Sequence, residues 1–455
     1  MIELVIRILK KFGVDRAIFY TSASRIIQAF TGVITIFFVA RFLSGIEQGF
    51  YYTFGSILAI QVFFELGFNG IITQYVAHEV SHLQWDLDGR LSGSPPHLSR
   101  LSSLLHLSVK WYSIIGGILL LILLISGFVF FRRYDTSGGA VIWNIPWIIL
   151  SSSTTLAFLL NPILAFIEGL GKVKEVAKMR LTQQILTTFL IWICLISGMK
   201  LYASGLSNIF GLLLLLNLLF FNKYWYIFVN IWRSLGKEKV GYKQEIFPYQ
   251  WKIALSWVSG YFIFQLFNPV LFATDGAIVA GQMGMTLAVL NGIFSLSFSW
   301  MSTKVPLYSG FIAQKKYDEL DHVFNKTLKQ SSFINGLGLG VLFFLIFGLR
   351  YFNMTLGNRF LPFLPLLMMM IPVFLNQFIS SWATYLRCHK QEPFLIPSLV
   401  GAVNCSLSTI ILGKYFGVIG MTMGYCILTI FGGFFWGYYI FKTKKKEWHK
   451  TVVSS

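Results

Sequence analysis

At 455 residues the chain is long enough for about three soluble domains. Yet 55% of it is hydrophobic, 17% aromatic and only 12% charged, where a soluble domain carries roughly 25% charged residues. Too few charges remain to coat several water-facing surfaces, so the composition excludes a large soluble domain and implies a polytopic membrane protein. The net charge of +19 would point to nucleic acid in a soluble chain; in a membrane protein it reports orientation, and no nucleic-acid partner is expected.

In chain order, the opening MIELVIRILKKFGVDR mixes charges with apolar residues and lacks a small-residue cleavage site, which reads as an uncleaved amphipathic lead-in. Apolar runs long enough to cross a bilayer follow near residues 17–43, 46–80, 109–131, 140–167, 181–199, 203–229, 250–274, 276–313, 331–349, 360–386, 394–413 and 416–441. The predicted fold is therefore all-α, with twelve transmembrane helices in two six-helix lobes, residues 1–235 and 236–455. Of the 37 Lys and Arg, 27 lie in the amino terminus, the even-numbered connections and the carboxyl tail, against 7 in the odd-numbered connections and 3 inside spans. That bias places both termini in the cytoplasm. The tail KTKKKEWHK reads first as a positive-inside anchor, with binding of anionic headgroups as the other reading.

The segment 81–108 is the longest predicted cytoplasmic connection and is rich in Ser, Pro and His. His78, His82, His97 and His106 match no common zinc spacing. Cys194, Cys388, Cys405 and Cys426 lie in or beside apolar runs without CxxC spacing, so neither a disulfide framework nor a metal site is expected. No GxxxxGK phosphate loop occurs, and the short outer connections leave little to hold an acceptor for catalysis. The chain reads as a non-enzyme that needs no cofactor.

The two halves look related when residues 65–81 are laid over 295–311, an offset that sets Phe68 on Phe298 and Thr73 on Thr303. Six helices per half is even, so the halves would be related by an axis along the membrane normal, with a cleft between them. Pro269, Pro306 and Pro372 mark candidate bends.

Charges inside spans are costly and usually mark a pathway. Arg25 in the first span and Lys304 in the eighth lie about 12 and 13 Å from the inner ends, counting ~1.5 Å per residue. If both face a cavity, they suit a pyrophosphate or an acidic sugar; the plain alternative is snorkelling to the interface. Arg41, with Glu47 in the adjoining outer turn, reads as an entry charge or an interfacial ion pair. Glu65, deep in the second span, would bind a proton or sodium ion or pair with Arg25.

VARFLSGIEQGFYYTF at 39–54, FFELGFNGIITQYVAHE at 63–79 and the stretch 281–320 resemble the Wzx-type O-antigen flippases of the multidrug/oligosaccharidyl-lipid/polysaccharide (MOP) exporter superfamily. The resemblance implies a MATE-like fold that alternates access to move lipid-linked (undecaprenyl-pyrophosphate) oligosaccharide across a bacterial cytoplasmic membrane for surface polysaccharide biosynthesis. It also implies a cationic cavity, for which Arg25, Lys304 and Arg41 are the positions, and a polysaccharide polymerase and other assembly proteins as partners beside membrane lipids. A cation-coupled drug exporter of the same superfamily is the rival reading, kept open by Glu65. A membrane glycan polymerase or ligase is the third, disfavoured by the short outer loops.

Overall fold

Backbone in hydrocarbon must bond to itself, so apolar runs of bilayer length become helices. The computed structural model describes residues 31–86, 91–220, 224–389 and 391–450. Among them, nine helical stretches are long and apolar enough to cross a membrane, and two shorter apolar helices accompany them. The last long stretch is a double one, interrupted at Gly417, so twelve spans result, where the sequence places them. The chain is a multi-pass membrane protein.

The described part of the first span is α1 (Thr31–Phe42). The second is built from α2 (Gly45–Leu58), a tight turn at Ala59–Gln61, α3 (Val62–Glu65) and α4 (Phe68–Val80). Ser44 and Glu47 form a reciprocal capping box at the start of α2: the Ser44 amide donates to Glu47 Oε2 at 2.8 Å and the Glu47 amide to Ser44 Oγ at 3.2 Å. A two-stranded antiparallel hairpin follows, β1 (Leu83–Trp85) with β2 (Leu91–Gly93). The predicted 81–108 connection is thereby shortened, because residues from Pro95 onward already belong to α5 (Pro95–Tyr134).

Then come α6 (Asn144–Gly169), α7 (Val173–Ile196), α8 (Tyr202–Phe220) and the short, aromatic α9 (Tyr224–Arg233). The seventh span is α10 (Phe247–Phe264) with α11 (Phe267–Thr274), and the eighth is α12 (Ala277–Ser302) with α13 (Val305–Ala313). The rest are α14 (Tyr317–Tyr351), α15 (Phe363–Arg387), the double α16 (Leu395–Leu428) and α17 (Trp436–Lys450). At Gly417 φ is +56°, and a side chain there would meet Asp275 Oδ2 at 2.6 Å. That carboxylate accepts the Val418 amide at 2.9 Å, capping the twelfth span.

Packing groups the chain into two compact units. One comprises Ile57–Arg133 and Gly139–Val258; the other takes in Gly32–Ser56, Tyr134–Gly138 and the chain from Ser259 onward. Residues 32–56 thus pack with carboxyl-terminal helices and 236–258 with amino-terminal ones, whereas halves cut in chain order at 235 assign both the other way.

In the first unit, Phe68, Tyr112, Phe158, Phe131 and Trp147 are buried. Trp147 Nε1 donates to the Leu123 carbonyl at 3.1 Å, so the indole nitrogen is satisfied in an apolar core. In the second unit, Tyr308, Phe324, Trp382 and Tyr385 form one buried cluster. Ser297 of α12, Asn335 of α14 and Gln377 of α15 are fully buried and hydrogen-bonded to one another at 3.0 to 3.3 Å. Such polar contacts join spans where apolar packing alone gives no preference over lipid.

Candidate functional site

Two of the four site residues named from sequence sit at interruptions of helices. The second span breaks just after Glu65: Leu66 and Gly67 both adopt left-handed conformations, with φ of +48° and +69°. A left-handed leucine is strained, and broken backbone at membrane depth is tolerated only where it is covered by protein or lines a cavity. Glu65 is half-buried there. Its Oε1 accepts Asn69 Nδ2 at 2.6 Å, and Asn69 Oδ1 accepts the Tyr112 hydroxyl at 2.8 Å. Thr73 Oγ1 ties the next turn to the Asn69 and Ala165 carbonyls, each at 3.1 Å. A carboxylate is thus tied at the break through Oε1, which accepts a neutral amide.

Lys304 lies at the second interruption, where α12 ends and α13 begins. It is exposed and forms no ion pair with a carboxylate among the described residues. Pro306 at the second position of α13 sets that break, since a proline there lacks only an amide that the helix start leaves unbonded. The two breaks do not correspond under the repeat proposed from sequence. An offset of 230 lays Leu66 on Leu296, which is inside continuous α12.

Arg25 lies outside the described residues. Arg41 is exposed near the end of α1. Glu47 is only 5% exposed and turned into the cap of its own helix, and its charge bears on Arg359. Burial pushes the Arg359 guanidinium below its ordinary range, and Glu47 partly restores it. Arg359 was missed in the sequence because it sits in an outer connection, 311 residues from the Gln48 it meets.

Around Arg359 the second and eighth spans cross closely. Gln48 Nε2 donates to the Gly281 carbonyl at 2.8 Å and to the Arg359 carbonyl at 3.2 Å, while Arg359 Nη2 donates to the Leu43 carbonyl at 2.7 Å. A Cβ on Gly49 would stand 2.0 Å from the Ala277 carbonyl oxygen, and one on Gly284 would stand 2.3 Å from Tyr52 Cβ. Small residues let the backbones approach to this distance. A cavity of about 200 Å³ adjoins the crossing, lined by Gly45, Gln48, Gln282, Asn358 and Arg359 among others.

A second polar cluster lies within the first unit. Glu79, 2% exposed, accepts Arg100 Nε at 2.9 Å and lies 2.7 Å from His97 Nδ1. Arg100 Nη2 donates to Glu245 Oε2 at 2.6 Å, and the Tyr75 hydroxyl donates to the Glu245 carbonyl at 2.6 Å. Ser99 and Ser103 bind backbone of 236–240. Burial opposes ionisation of Glu245, but the Arg100 bond, the Gly241 amide and the Arg100 charge outweigh it and hold the carboxyl below its ordinary value. This network fastens the 234–246 connection to α4 and α5. The histidines considered for metal binding serve it or stack nearby: the His82 and His97 rings lie 4.2 Å apart, and His106 stacks on Trp232 at 3.5 Å. No group of three potential ligands gathers for a metal among the described residues.

The chain matches no protein-family model and no curated protein. Solved structures do match. An inward-facing multidrug resistance MATE family transporter of the MOP superfamily superposes with a TM-score of 0.59 at 15% identity, over 92% of this chain and 99% of that one. The MATE multidrug transporter DinF-BH, solved as a complex, gives 0.57 at 14% identity over 94% and 95%. A MOP superfamily transporter from Pyrococcus furiosus, whose binding pocket is described as reversed in polarity with a different function suggested, gives 0.53 at 13% identity over 94% and 95%. The protein therefore has the MATE-like fold of MOP superfamily transporters. At these identities the fold is what is shared.

Proposed function

We propose that this protein is a transporter of the Wzx type, flipping lipid-linked oligosaccharide across the bacterial cytoplasmic membrane by alternating access, without covalent chemistry. Both termini face the cytoplasm in this reading. The observation that carries it is Lys304: an exposed ammonium at the interruption of the eighth span, paired with no carboxylate among the described residues. A cation so placed suits a pyrophosphate or acidic sugar. Arg25 in the first span and Arg41 at its outer end would add to it, and the sequence supplies an arginine in the first span where a cation-binding exporter would need a carboxylate. The proposed partners are the lipid-linked oligosaccharide, bilayer lipids and polysaccharide assembly proteins such as a polymerase.

A second reading, a cation-coupled drug exporter, is favoured by a different observation. Glu65 sits at the break of the second span with Oε1 bound, among the described residues, to a neutral amide, the setting in which an intramembrane carboxylate takes up a proton or cation. Reconstitution in vesicles separates the two. Movement of a lipid-pyrophosphate oligosaccharide should be seen with the native chain and lost in Arg25→Ala and Lys304→Ala variants that fold normally. Efflux of an organic cation that requires Glu65, with no movement of the lipid-linked sugar, would replace the first reading by the second.

A further inference from the structure

The first unit carries a second feature that transport of a headgroup does not use. A cavity of about 440 Å³ opens beside α9, within the range of small-molecule sites. Its walls are Leu105 and Val109 of α5, Leu160 and Ile163 of α6, and Phe228 and Trp232 of α9. Among the described residues that line it, the one charged group is Arg233, the last residue of α9. Trp225 and Trp232, 48% and 42% exposed, flank the opening, and Lys110, next to Val109, is exposed.

We infer that this groove is a binding site for an anionic glycerophospholipid, with an acyl chain in the groove and the phosphate on Arg233. Apolar surface facing lipid is general in this protein, since residues such as Ile125 and Val129 are 63% exposed, so apolarity alone marks nothing. What sets this place apart is concavity joined to an arginine that pairs with no carboxylate among the described residues. An apolar groove that ends in a guanidinium unmatched among the described residues is complementary to an amphiphile with a negative head, and arginine binds phosphate in a bidentate manner. Exposed tryptophans at its mouth fit the headgroup level of a bilayer, where one edge of the ring is apolar and the other wet. His106, stacked on Trp232 and bonded to the Ser102 carbonyl at 2.9 Å, fixes the wall that carries the arginine. The groove is too small for the long isoprenoid tail of the proposed substrate, so the occupant is a bilayer lipid, and the site does not depend on the transported molecule.

The test uses the full chain in detergent, with phosphatidylglycerol and phosphatidylcholine of identical acyl chains added at equal concentration and bound lipid read by native mass spectrometry. Phosphatidylglycerol should be retained about fivefold over phosphatidylcholine, the preference that one interfacial arginine contributes. Arg233→Ala should bring the two to parity, and Val229→Trp, at a further lining residue on α9, should fill the groove and lower retention of both. Because the groove-filling variant is the one at risk of misfolding, a photoreactive phosphatidylglycerol with the reactive group on its acyl chain is cross-linked to the native protein. Its label should map to α5 and α9. Equal retention by the native chain, a preference that survives in Arg233→Ala, or label confined to other helices would overturn the site. Displacement of the label by polyprenyl phosphate but not by phosphatidylglycerol would overturn the assignment in favour of the carrier lipid.

Discussion

Replacing Gly49 by alanine tests the close crossing of the second and eighth spans. The added methyl would stand 2.0 Å from the Ala277 carbonyl oxygen, 2.6 Å from its carbon and 2.9 Å from its Cα, all backbone atoms that no rotamer change moves aside. Ordinary contact begins at 3.4 Å, so α2 and α12 must separate by up to about 1.4 Å, the difference of those distances. The 2.8 Å bond from Gln48 to the Gly281 carbonyl then lengthens beyond hydrogen-bonding range. Overpacking costs about 1–3 kcal/mol and the lost bond about 0.5–1.5 kcal/mol, giving about 2–4 kcal/mol against the closed crossing.

The assay is alkylation of a single cysteine in a background lacking Cys194, Cys388, Cys405 and Cys426. Ala280, fully buried on α12, is the reporter position. Gly49→Ala should speed alkylation of Ala280→Cys about thirtyfold for a 2 kcal/mol shift, since 1.4 kcal/mol is a factor of ten. The apparent melting temperature should fall with it. An unchanged rate and unchanged melting would refute the claim that this backbone contact holds the crossing together.

Three further outcomes follow from the same distances. Arg100→Ala removes the cation shared by Glu79 and Glu245 and should cost about 2–3 kcal/mol, below the value for a fully buried pair because Arg100 is 26% exposed; thermal unfolding in detergent reads it, and no drop would show the network to be idle. The Glu245 carboxyl is held below its ordinary value of 4.5, so its contribution to stability is complete above about pH 4.5 and is lost as the pH falls through the lower folded value. Below that pH the native protein should lose melting temperature more steeply than Glu245→Gln, and parallel curves would contradict the pairing. Asp275→Ala should remove about 1 kcal/mol of capping from the twelfth span, read as faster amide exchange at Val418; unchanged exchange would mean the cap adds nothing.

Much of the architecture was legible in the chain alone. Twelve apolar runs specify twelve spans because hydrocarbon leaves the backbone no partner but itself, and Ser44 with Glu47 is a helix start written in four residues. Pro306 likewise marks the break beside Lys304. The interruption at Leu66 was not legible, because a leucine carries no signal for a left-handed backbone and only surrounding packing holds it there. The depth of Glu65 in the second span could be read from the chain, but the Tyr112 hydroxyl that holds its partner Asn69 could not. Tyr112 is 43 residues away from Asn69 in the chain.

The sequence by itself determined what each segment is: spanning or not, charged or not, capped or not. Those properties depend on residues within one or two helical turns. Tertiary structure decided which segments share a unit, sending residues 32–56 to the carboxyl-terminal helices, and it brought Arg359 from a distant connection close enough for Glu47 to act on its charge. It also placed Gly49 against Ala277 and left Arg233 at the mouth of an apolar groove. Contacts of this kind depend on shape complementarity between distant helices. Lipid is as apolar as the helix surfaces themselves, so hydrophobicity along the chain does not choose between neighbours; close packing of small residues and a few buried hydrogen bonds do.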